Sequence, residues 1–404
     1  MTEELEKPPP AILKLAKMKF VLTLPEHRLD NALRAQLLEG IVKENMAPYY
    51  KTVCADLGWP VDEDLLKKMS AAYEEELARF DARDGIDDED DHSSGWRDKL
   101  DYLCSMGDRE GAERLAGSKL GDRALSTRSR LHAWFALFRS ALLHGCDRDG
   151  MRQAVEGAEA LVAGGAGDWG ARNKLKAYRG LYALAVRDYD AAARLLLDCV
   201  PTFESHELAC FEDVARYATL ACMLVLPRGE LARALARSGE MAQALADRCP
   251  ALGEYFRSLH ECRYADFFAS LAGVGAEMRL DPLLHPHYRQ YVRGMRLRAY
   301  DQSLRAYSSL GLRRMGETFG VSEDFVEREV ARFVADGRLR CRIDKVARAV
   351  VTQFCGAECS EHGDEVAAYF SGAVHDREVM YQKIIKHGDN VLNRTKKLAR
   401  VIDF

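Results

Sequence analysis

The spacing of apolar residues follows a helical period over most of the chain and changes to a period of two only near the C-terminal end. Leu33 and Leu37 belong to a stripe with intervals of three to four residues, which is typical of an amphipathic helix. Leu339, Cys341 and Ile343, in contrast, alternate with arginines, as residues of a half-buried strand do. The chain is therefore predicted to be mainly α-helical, with one short β-hairpin near its end.

Composition limits the classes of protein to which the chain can belong. Its 404 residues are 48% hydrophobic, which is enough for a large buried core. The net charge is −5, from 63 acidic and 58 basic residues, and such a balance gives no general attraction to nucleic acid or anionic membrane. Any basic surface would have to be local.

Cysteine usage and the distribution of apolar runs predict a cytoplasmic and nuclear protein. Most of the eleven cysteines lie in apolar runs, where they behave as small hydrophobic residues. Residues 1–7 contain three glutamates and no apolar segment, so we expect no signal peptide. The uncharged apolar run at 218–226 is far shorter than the roughly 20 residues that cross a bilayer. We therefore expect a reducing compartment and no membrane partner.

Similar short phrases recur in the segment 97–250, which is rich in Ala, Leu and Arg. Each consists of a small or polar turn followed by a helix start with small residues, at 107–112, 187–192 and 238–242. Small residues allow one helix to lie close to its neighbour. The pattern resembles a degenerate helix-pair repeat of the tetratricopeptide (TPR) type. The alternative is an ordinary all-helical domain, because the spacing is irregular.

Two polar segments are predicted to be loops. Residues 84–91 contain five aspartates and one glutamate, which repel one another and cannot be buried. The glycine-rich segment 164–170 lacks the Gly-Lys-Ser/Thr ending of a phosphate-binding loop, so it is interpreted as a turn between helices.

The segment 304–352 has the element order of a winged helix. A first helix is expected over 304–315 and a turn over 319–322, where Ser322 is a natural N-cap. A second helix ends at Gly337, and a hairpin turning at 344–345 runs to residue 352. Such a module either binds DNA through its second helix or pairs with proteins through its exposed strand edge.

Charge in the winged helix favours protein partners. Its arginines make the segment locally basic, which by itself favours nucleic acid. Glu323, Asp324, Glu327 and Glu329, however, lie on the helix that would enter the groove, where they would repel phosphates. Asp324 and Arg328 are expected to form an i,i+4 pair on its outer side.

Several phrases, taken together and in order, resemble one protein family. They include residues 24–28 (LPEHR), 45–50 (NMAPYY), 341–346 (CRIDKV) and 388–394 (GDNVLNR). On these residues the chain resembles the PCI-domain subunits of the proteasome lid, the signalosome and translation initiation factor three. Within that group it is similar to the non-ATPase subunit seven family of the proteasome regulatory-particle lid, also called regulatory subunit six. The phrases extend along almost the whole chain.

The resemblance implies a fold and a function. The expected fold is mainly α: a TPR-like helical-repeat solenoid, a winged-helix PCI module and a C-terminal helix. The expected domains are residues 1–96 with the acidic loop, 97–200 with the repeats, 201–372 as the PCI domain with its winged helix at 304–353, and 373–404 as a bundle-forming helix. Residues 354–372 resemble an insertion.

The implied role is that of a non-catalytic scaffold subunit that supports lid assembly and ubiquitin-dependent protein degradation. The implied partners are other lid PCI subunits and the lid metalloprotease (deubiquitinase) subunit, with the ATPase ring as a further candidate. A signalosome-type or translation-initiation PCI scaffold and a nucleic-acid-binding winged-helix protein are the alternatives. No enzymatic activity and no cofactor are expected.

The candidate subunit interface combines the strand rim and the apolar stripe of the C-terminal helix. It comprises Leu339, Cys341, Ile343, Val350, Ile384, Val391, Leu392, Leu398 and Ile402. A terminal helix with an i, i+3, i+4 stripe gains little stability alone and needs a surface on which to pack, either its own domain or other chains. A zinc site formed by Cys355, Cys359, His362 and Cys341 is an alternative use of that region, but the spacing is unusual for zinc.

Overall fold

The computed structural model describes residues 10–84, 95–122, 125–164, 168–203, 207–237, 239–352 and, within 384–396, all but residues 386, 390 and 393. The α-helices within these residues are α1 Ala11–Thr23, α2 Asn31–Lys43, α3 Ala47–Leu57, α4 Glu63–Asp84, α5 Gly95–Ser105, α6 Arg109–Leu120, α7 Thr127–Leu143, α8 Arg148–Ala163, α9 Trp169–Val186, α10 Tyr189–Cys199, α11 Phe211–Val225, α12 Arg228–Arg237, α13 Gly239–Gln243, α14 Pro250–His260, α15 Tyr264–Leu280, α16 Tyr288–Leu304, α17 Leu312–Phe319 and α18 Glu323–Ala335. The strands are β1 Ser309–Gly311, β2 Cys341–Asp344 and β3 Ala349–Thr352. The mainly α fold with one small sheet is confirmed.

The chain divides into two compact units. The first comprises Met1–Cys222, Ala234–Leu252 and Gly273–Gln290. The second comprises Met223–Arg233, Gly253–Ala272 and Tyr291–Phe404, and it contains the winged helix.

Two predicted segments cannot be compared with the structure. The insertion predicted at 354–372 lies outside the described residues, and so does the predicted acidic loop apart from Asp84.

Helix pairs in the first unit share one turn geometry. The turns between α5 and α6, α7 and α8, and α9 and α10 each contain a residue with positive φ, namely Gly107, Cys146 and Arg187. The aspartate that follows each of them accepts hydrogen bonds from the first turn of the next helix. The three turns are about 40 residues apart, as expected for a helix-pair repeat. The phrases at 107 and 187 were predicted, whereas the turn at Cys146 was missed.

Small residues allow the paired helices to approach closely. A Cβ atom added at Gly157 of α8 would overlap the Trp134 ring of α7, and one added at Gly180 of α9 would lie 2.6 Å from a methyl carbon of Leu196 in α10. Ala112 and Ala116 of α6 are fully buried. The close packing expected for small-residue helix starts is therefore present within this unit.

A buried histidine joins the α9–α10 turn to a 3₁₀ turn, His285–His287, within the first unit. The Arg187 Nε–H donates to His287 Nδ1 at 2.6 Å, so the neutral ring carries its proton on Nε2. His287 Nε2 in turn donates to the Ala185 carbonyl at 3.1 Å. The ring is 1% exposed, and burial together with the Arg187 cation lowers the pKa of His287 from 6.5 to about 4.

We expect the stability of the first unit to fall on mild acidification. The folded pKa of His287 lies below the unfolded value, so its contribution is present above about pH 6.5 and is lost as the pH falls towards 4. The free energy of unfolding should decrease by about 2 kcal/mol between pH 7 and pH 5 from this group alone. Urea unfolding of the wild type and of His287→Gln at both pH values measures this contribution. An equal pH dependence in the two proteins would contradict the assignment.

The second unit contains the winged helix in a modified order. The helix predicted over 304–315 is wrong, because α16 continues to Leu304 and α17 begins only at Leu312. Strand β1 lies between them, with the buried Leu310 paired opposite Val350 of β3. The second helix is confirmed: the Ser322 side chain accepts from Phe325 N–H, and Gly337 has a φ of 70° after the helix end.

Candidate subunit-interaction surfaces

Among the described residues, the sheet of the winged helix has three strands and therefore two edge strands. Its strand order is β1-β3-β2, and both pairs are antiparallel, so β3 is central and β1 and β2 are the edge strands. An edge strand has unpaired backbone groups on one side and can accept a strand from another chain. The sequence predicted a strand edge as an interaction surface, and β2 is one of the two edge strands among the described residues.

The hydrogen-bond register determines which groups of β2 face outward. Thr352 N–H donates to the Ser308 carbonyl and Leu312 N–H donates to the Arg348 carbonyl, so the even-numbered residues of β3 bond to β1. The odd-numbered residues of β3 therefore bond to β2, at the pairs Arg342↔Val351 and Asp344↔Ala349. Because backbone direction alternates along a strand, Ile343 N–H and C=O point to the free edge.

The turn of the hairpin is stabilised by its own first residue. The Asp344 Oδ1 atom accepts hydrogen bonds from Val346 N–H at 2.9 Å and Ala347 N–H at 3.0 Å. This side-chain-to-backbone pattern is typical of aspartate in a tight turn. It leaves the Val346 side chain 98% exposed at the tip of the wing.

The acidic residues of α18 neutralise the cations of the wing. Arg348 lies 3.5 Å from the Glu323 carboxylate, and Lys345 lies 3.8 Å from Glu327. The predicted Asp324–Arg328 ion pair is wrong, since the Arg328 guanidinium donates to the backbone carbonyl of Asp324 instead. Because these carboxylates already pair with Lys345 and Arg348, the wing offers less positive charge to a phosphate backbone, which argues against groove binding through α18.

Three of the predicted interface residues lie in the core of the winged helix. Leu339, Cys341 and Val350 are buried within the second unit, and Ile343 is half-buried beside them. Val350 also belongs to the central strand, whose backbone is paired on both sides. These side chains therefore stabilise the sheet itself, and what β2 offers to a partner is its backbone edge and solvent face.

The C-terminal helix exposes its apolar side chains. Ile384, Ile385, Val391 and Leu392 are each between 54% and 64% exposed, in residues that are helical. Of the predicted interface residues, Ile384, Val391 and Leu392 are exposed, and Leu398 and Ile402 lie outside the described residues. Exposed apolar residues along one stripe of a helix are typical of an interaction surface.

Sequence reasoning missed a groove of about 1030 Å³ in the first unit. Two ion pairs lie in its lining, Lys17 with Asp213 at 2.5 Å and Lys19 with Asp56 at 2.5 Å. Its apolar lining includes Leu13, Phe20, Pro48, Leu77, Leu142, Leu181, Leu208 and Leu283. These residues are far apart in the sequence, so no local pattern could have indicated the groove.

The described thiols have the properties of core residues. Burial raises the pKa of the Cys341 thiol to about 11 and that of Cys104 to about 11, which keeps both protonated and weakly nucleophilic. Of the alternative zinc ligands, Cys355, Cys359 and His362 lie outside the described residues. The described residues contain no group of three or more His, Cys, Asp or Glu side chains arranged to hold a metal ion.

The length and apolarity of a helix determine whether it can cross a membrane. Among the helices that the structure describes, none combines the length and apolarity needed to span a bilayer.

Family comparisons cover the chain in three consecutive parts. Residues 62–234 match the family described as 26S proteasome subunit RPN7, and residues 271–354 match the PCI domain. Residues 380–402 match the family described as 26S proteasome regulatory subunit RPN7/PSMD6 C-terminal helix. The PCI module and the C-terminal helix expected from the sequence are thereby confirmed.

Curated relatives named as 26S proteasome subunits match over nearly their full lengths. The 26S proteasome non-ATPase regulatory subunit 6 homolog of Arabidopsis thaliana is 33% identical over 398 residues, covering 97% of each chain. The 26S proteasome regulatory subunit RPN7 of Saccharomyces cerevisiae is 26% identical over 419 residues, covering 96% of this chain and 92% of that one. COP9 signalosome complex subunit 1 of Arabidopsis thaliana is 28% identical over only 173 residues, 42% of this chain. The resemblance to the lid family rather than to the signalosome family is confirmed.

Proposed function

Because the chain belongs to the family of 26S proteasome non-ATPase regulatory subunit 6, also named RPN7, we propose that it is a non-catalytic scaffold subunit of the regulatory-particle lid. In this role it supports lid assembly and, through the assembled particle, ubiquitin-dependent protein degradation. Its partners are the other PCI subunits of the lid and the lid metalloprotease subunit, with the ATPase ring as a further neighbour.

The observation that carries the proposal is the apolar stripe left exposed on the C-terminal helix. Ile384, Ile385, Val391 and Leu392 are each more than half exposed to water. Burying one such side chain contributes about 1.5–3 kcal/mol, so covering the stripe with other chains would stabilise an assembly substantially. The edge of β2 that no described strand covers supplies a second, hydrogen-bonding contact.

The scaffold role also fits the chemistry of the described side chains. The conspicuous buried charges, Arg139 with Asp101 and Arg298 with backbone carbonyls, are used in structural contacts. Burial raises the pKa of the Cys104, Cys199 and Cys341 thiols, which disfavours the thiolate needed for nucleophilic catalysis. The described cysteines are all free thiols, which supports a cytoplasmic and nuclear location.

Co-purification tests the proposal. We expect the full chain, tagged and expressed in its own organism, to be isolated with the other regulatory-particle subunits in fixed stoichiometry, because its exposed surfaces require partners. Native mass spectrometry of the eluted complex measures that stoichiometry. Recovery of the tagged chain as a monomer free of proteasome subunits would overturn the proposed function.

A further inference from the structure

Two helices of the first unit each turn a stripe of side chains towards the groove. On α1 the stripe consists of Leu13, Ala16, Lys17 and Phe20. On α4 it consists of Ser70, Tyr73, Glu74 and Leu77. Both stripes have i, i+3, i+4, i+7 spacing, which places their residues in a row along one side of the helix. Helix α3 packs against both α1 and α4 and also lines the groove, so it forms a floor between two helical walls.

The charges inside the groove already have partners. Two ion pairs lie within it, Lys17 with Asp213 and Lys19 with Asp56, each at 2.5 Å. The Asp108 carboxylate accepts hydrogen bonds from the first turn of α6 and from a tyrosine hydroxyl of α4. Over the whole lining, lysines and arginines equal aspartates and glutamates in number. An acidic segment or a nucleic acid therefore gains no net electrostatic attraction in this groove.

Apolar side chains between these charges remain partly open to water. Leu13, Phe20 and Leu77 are only half-buried, although the same unit contains many fully buried core residues. A further charge placed among them would lose its hydration and would find the neighbouring charges already paired. The groove is therefore complementary to an uncharged, apolar surface.

The backbone of the surrounding helices determines the form that such an occupant can take. The lining helices bond their N–H and C=O groups internally, so they offer an extended segment no backbone partners. A helix satisfies its own backbone groups and presents side chains that pack between the stripes of α1 and α4. A cylinder with the volume of the groove, 1030 Å³, and a diameter of about 10 Å is about 13 Å long, which is about nine residues of α-helix.

We propose that the groove is a docking site for an amphipathic helix of a partner protein, of which about nine residues are inserted. The inserted face is apolar and uncharged. The residues that flank it carry both signs, because the exposed lining residues include Lys51 and Arg114 as well as Glu74 and Glu110. This inference goes beyond the proposed function, since neither the β2 edge nor the C-terminal helix takes part in it.

Photo-cross-linking identifies the occupant. The photoreactive residue p-benzoylphenylalanine replaces Leu77 in the full chain, and the complexes that form in its own organism are irradiated and purified. We expect one cross-linked peptide with apolar residues at i, i+3 or i+4, and i+7, and no charged residue on that face. The control carries the same group at Ala78, which is exposed and does not line the groove, and should not yield this peptide.

Four outcomes of the cross-linking overturn the proposal. They are a peptide with charged residues on the inserted face, a peptide from this chain itself, an adduct with a small molecule or nucleic acid, and no adduct at all. Placing the photoreactive residue at Leu13 of α1 repeats the experiment from the other wall, so an unfolded Leu77 variant does not decide the result.

Filling the groove tests the site independently. A fluorescein-labelled synthetic peptide with the cross-linked sequence is titrated with the full chain, and fluorescence anisotropy measures Kd. Ser70→Trp places a large ring in the groove and should weaken binding at least about tenfold. Ala71→Trp adds the same ring at the next position, which is exposed and outside the lining, and should leave Kd unchanged.

The melting temperature of each variant shows whether it is folded. Ala16→Phe fills the groove from α1 and replaces Ser70→Trp if that variant has lost its fold. Equal Kd values for the groove-filling variant and Ala71→Trp overturn the groove as the docking site. That result leaves the proposed function intact, because co-purification of the wild-type chain with the regulatory particle does not depend on it.

Discussion

Replacing Arg298 with methionine should lower the free energy of unfolding of the second unit by about 2–4 kcal/mol. Arg298 lies on α16, is 9% exposed, and donates from its two terminal nitrogens to the Met223 and Leu226 carbonyls at the end of α11. These carbonyls have no partner within their own helix, so the guanidinium acts as a C-terminal cap. Methionine fills similar volume but leaves both acceptors buried and unsatisfied, which outweighs the relief of no longer burying a charge.

Two further variants separate capping from charge. Burial lowers the pKa of Arg298 to about 10, so the group still carries its charge at neutral pH. Arg298→Lys keeps that charge, but one ammonium does not have the planar fork that reaches two carbonyls, and an intermediate loss is expected. Arg305→Met, at an exposed position paired with Asp301, should change stability by less than about 0.5 kcal/mol. Urea unfolding monitored by circular dichroism measures all three, and an Arg298→Met protein as stable as Arg305→Met would contradict the capping role.

Local sequence signals predicted the elements whose ends are determined by neighbouring residues. Helix α18 was predicted with both ends correct because Ser322 accepts a hydrogen bond from its first turn and Gly337 adopts positive φ after its last. The β2–β3 hairpin was predicted because Leu339, Cys341 and Ile343 alternate with arginines. In these cases the residues that form the boundary lie next to the element that they end.

Elements that depend on distant residues could not be predicted in the same way. Strand β1 has only three residues, and Leu310 is recognisable as a strand residue only through its pairing with Val350. Likewise, α16 contains several arginines, and only the position of the α11 carbonyls determines that Arg298 is the buried one.

The candidate interface was predictable as a region but not side chain by side chain. Period-two alternation indicates that one face of a strand is buried, but it does not say whether the chain itself or a partner covers that face. Leu339, Cys341 and Val350 are covered by their own domain. Ile384, Val391 and Leu392, with similar hydrophobicity, are exposed. The difference is determined by tertiary packing alone.

Introducing charge into the apolar stripe of the C-terminal helix should abolish assembly while leaving the fold intact. Val391→Asp with Leu392→Asp places two carboxylates where apolar side chains are more than half exposed. Covering these positions would then require burial of unpaired charge, which is strongly unfavourable. Loss of the two apolar contacts alone weakens association by at least about 100-fold, and removal of residues 376–404 should have the same effect. Co-purification with the other regulatory-particle subunits and the melting temperature of the isolated chain measure the two properties separately.

The matched control carries the same new side chain on the same helix. Arg394 is exposed, and at 3.6 residues per turn it lies away from the centre of the stripe formed by Ile384, Val391 and Leu392. Arg394→Asp should therefore assemble normally, because its carboxylate can stay in water when the stripe is covered. If the Val391, Leu392 double variant assembled as well as Arg394→Asp, the stripe would not be a subunit contact, since two carboxylates would then have been buried without loss of affinity.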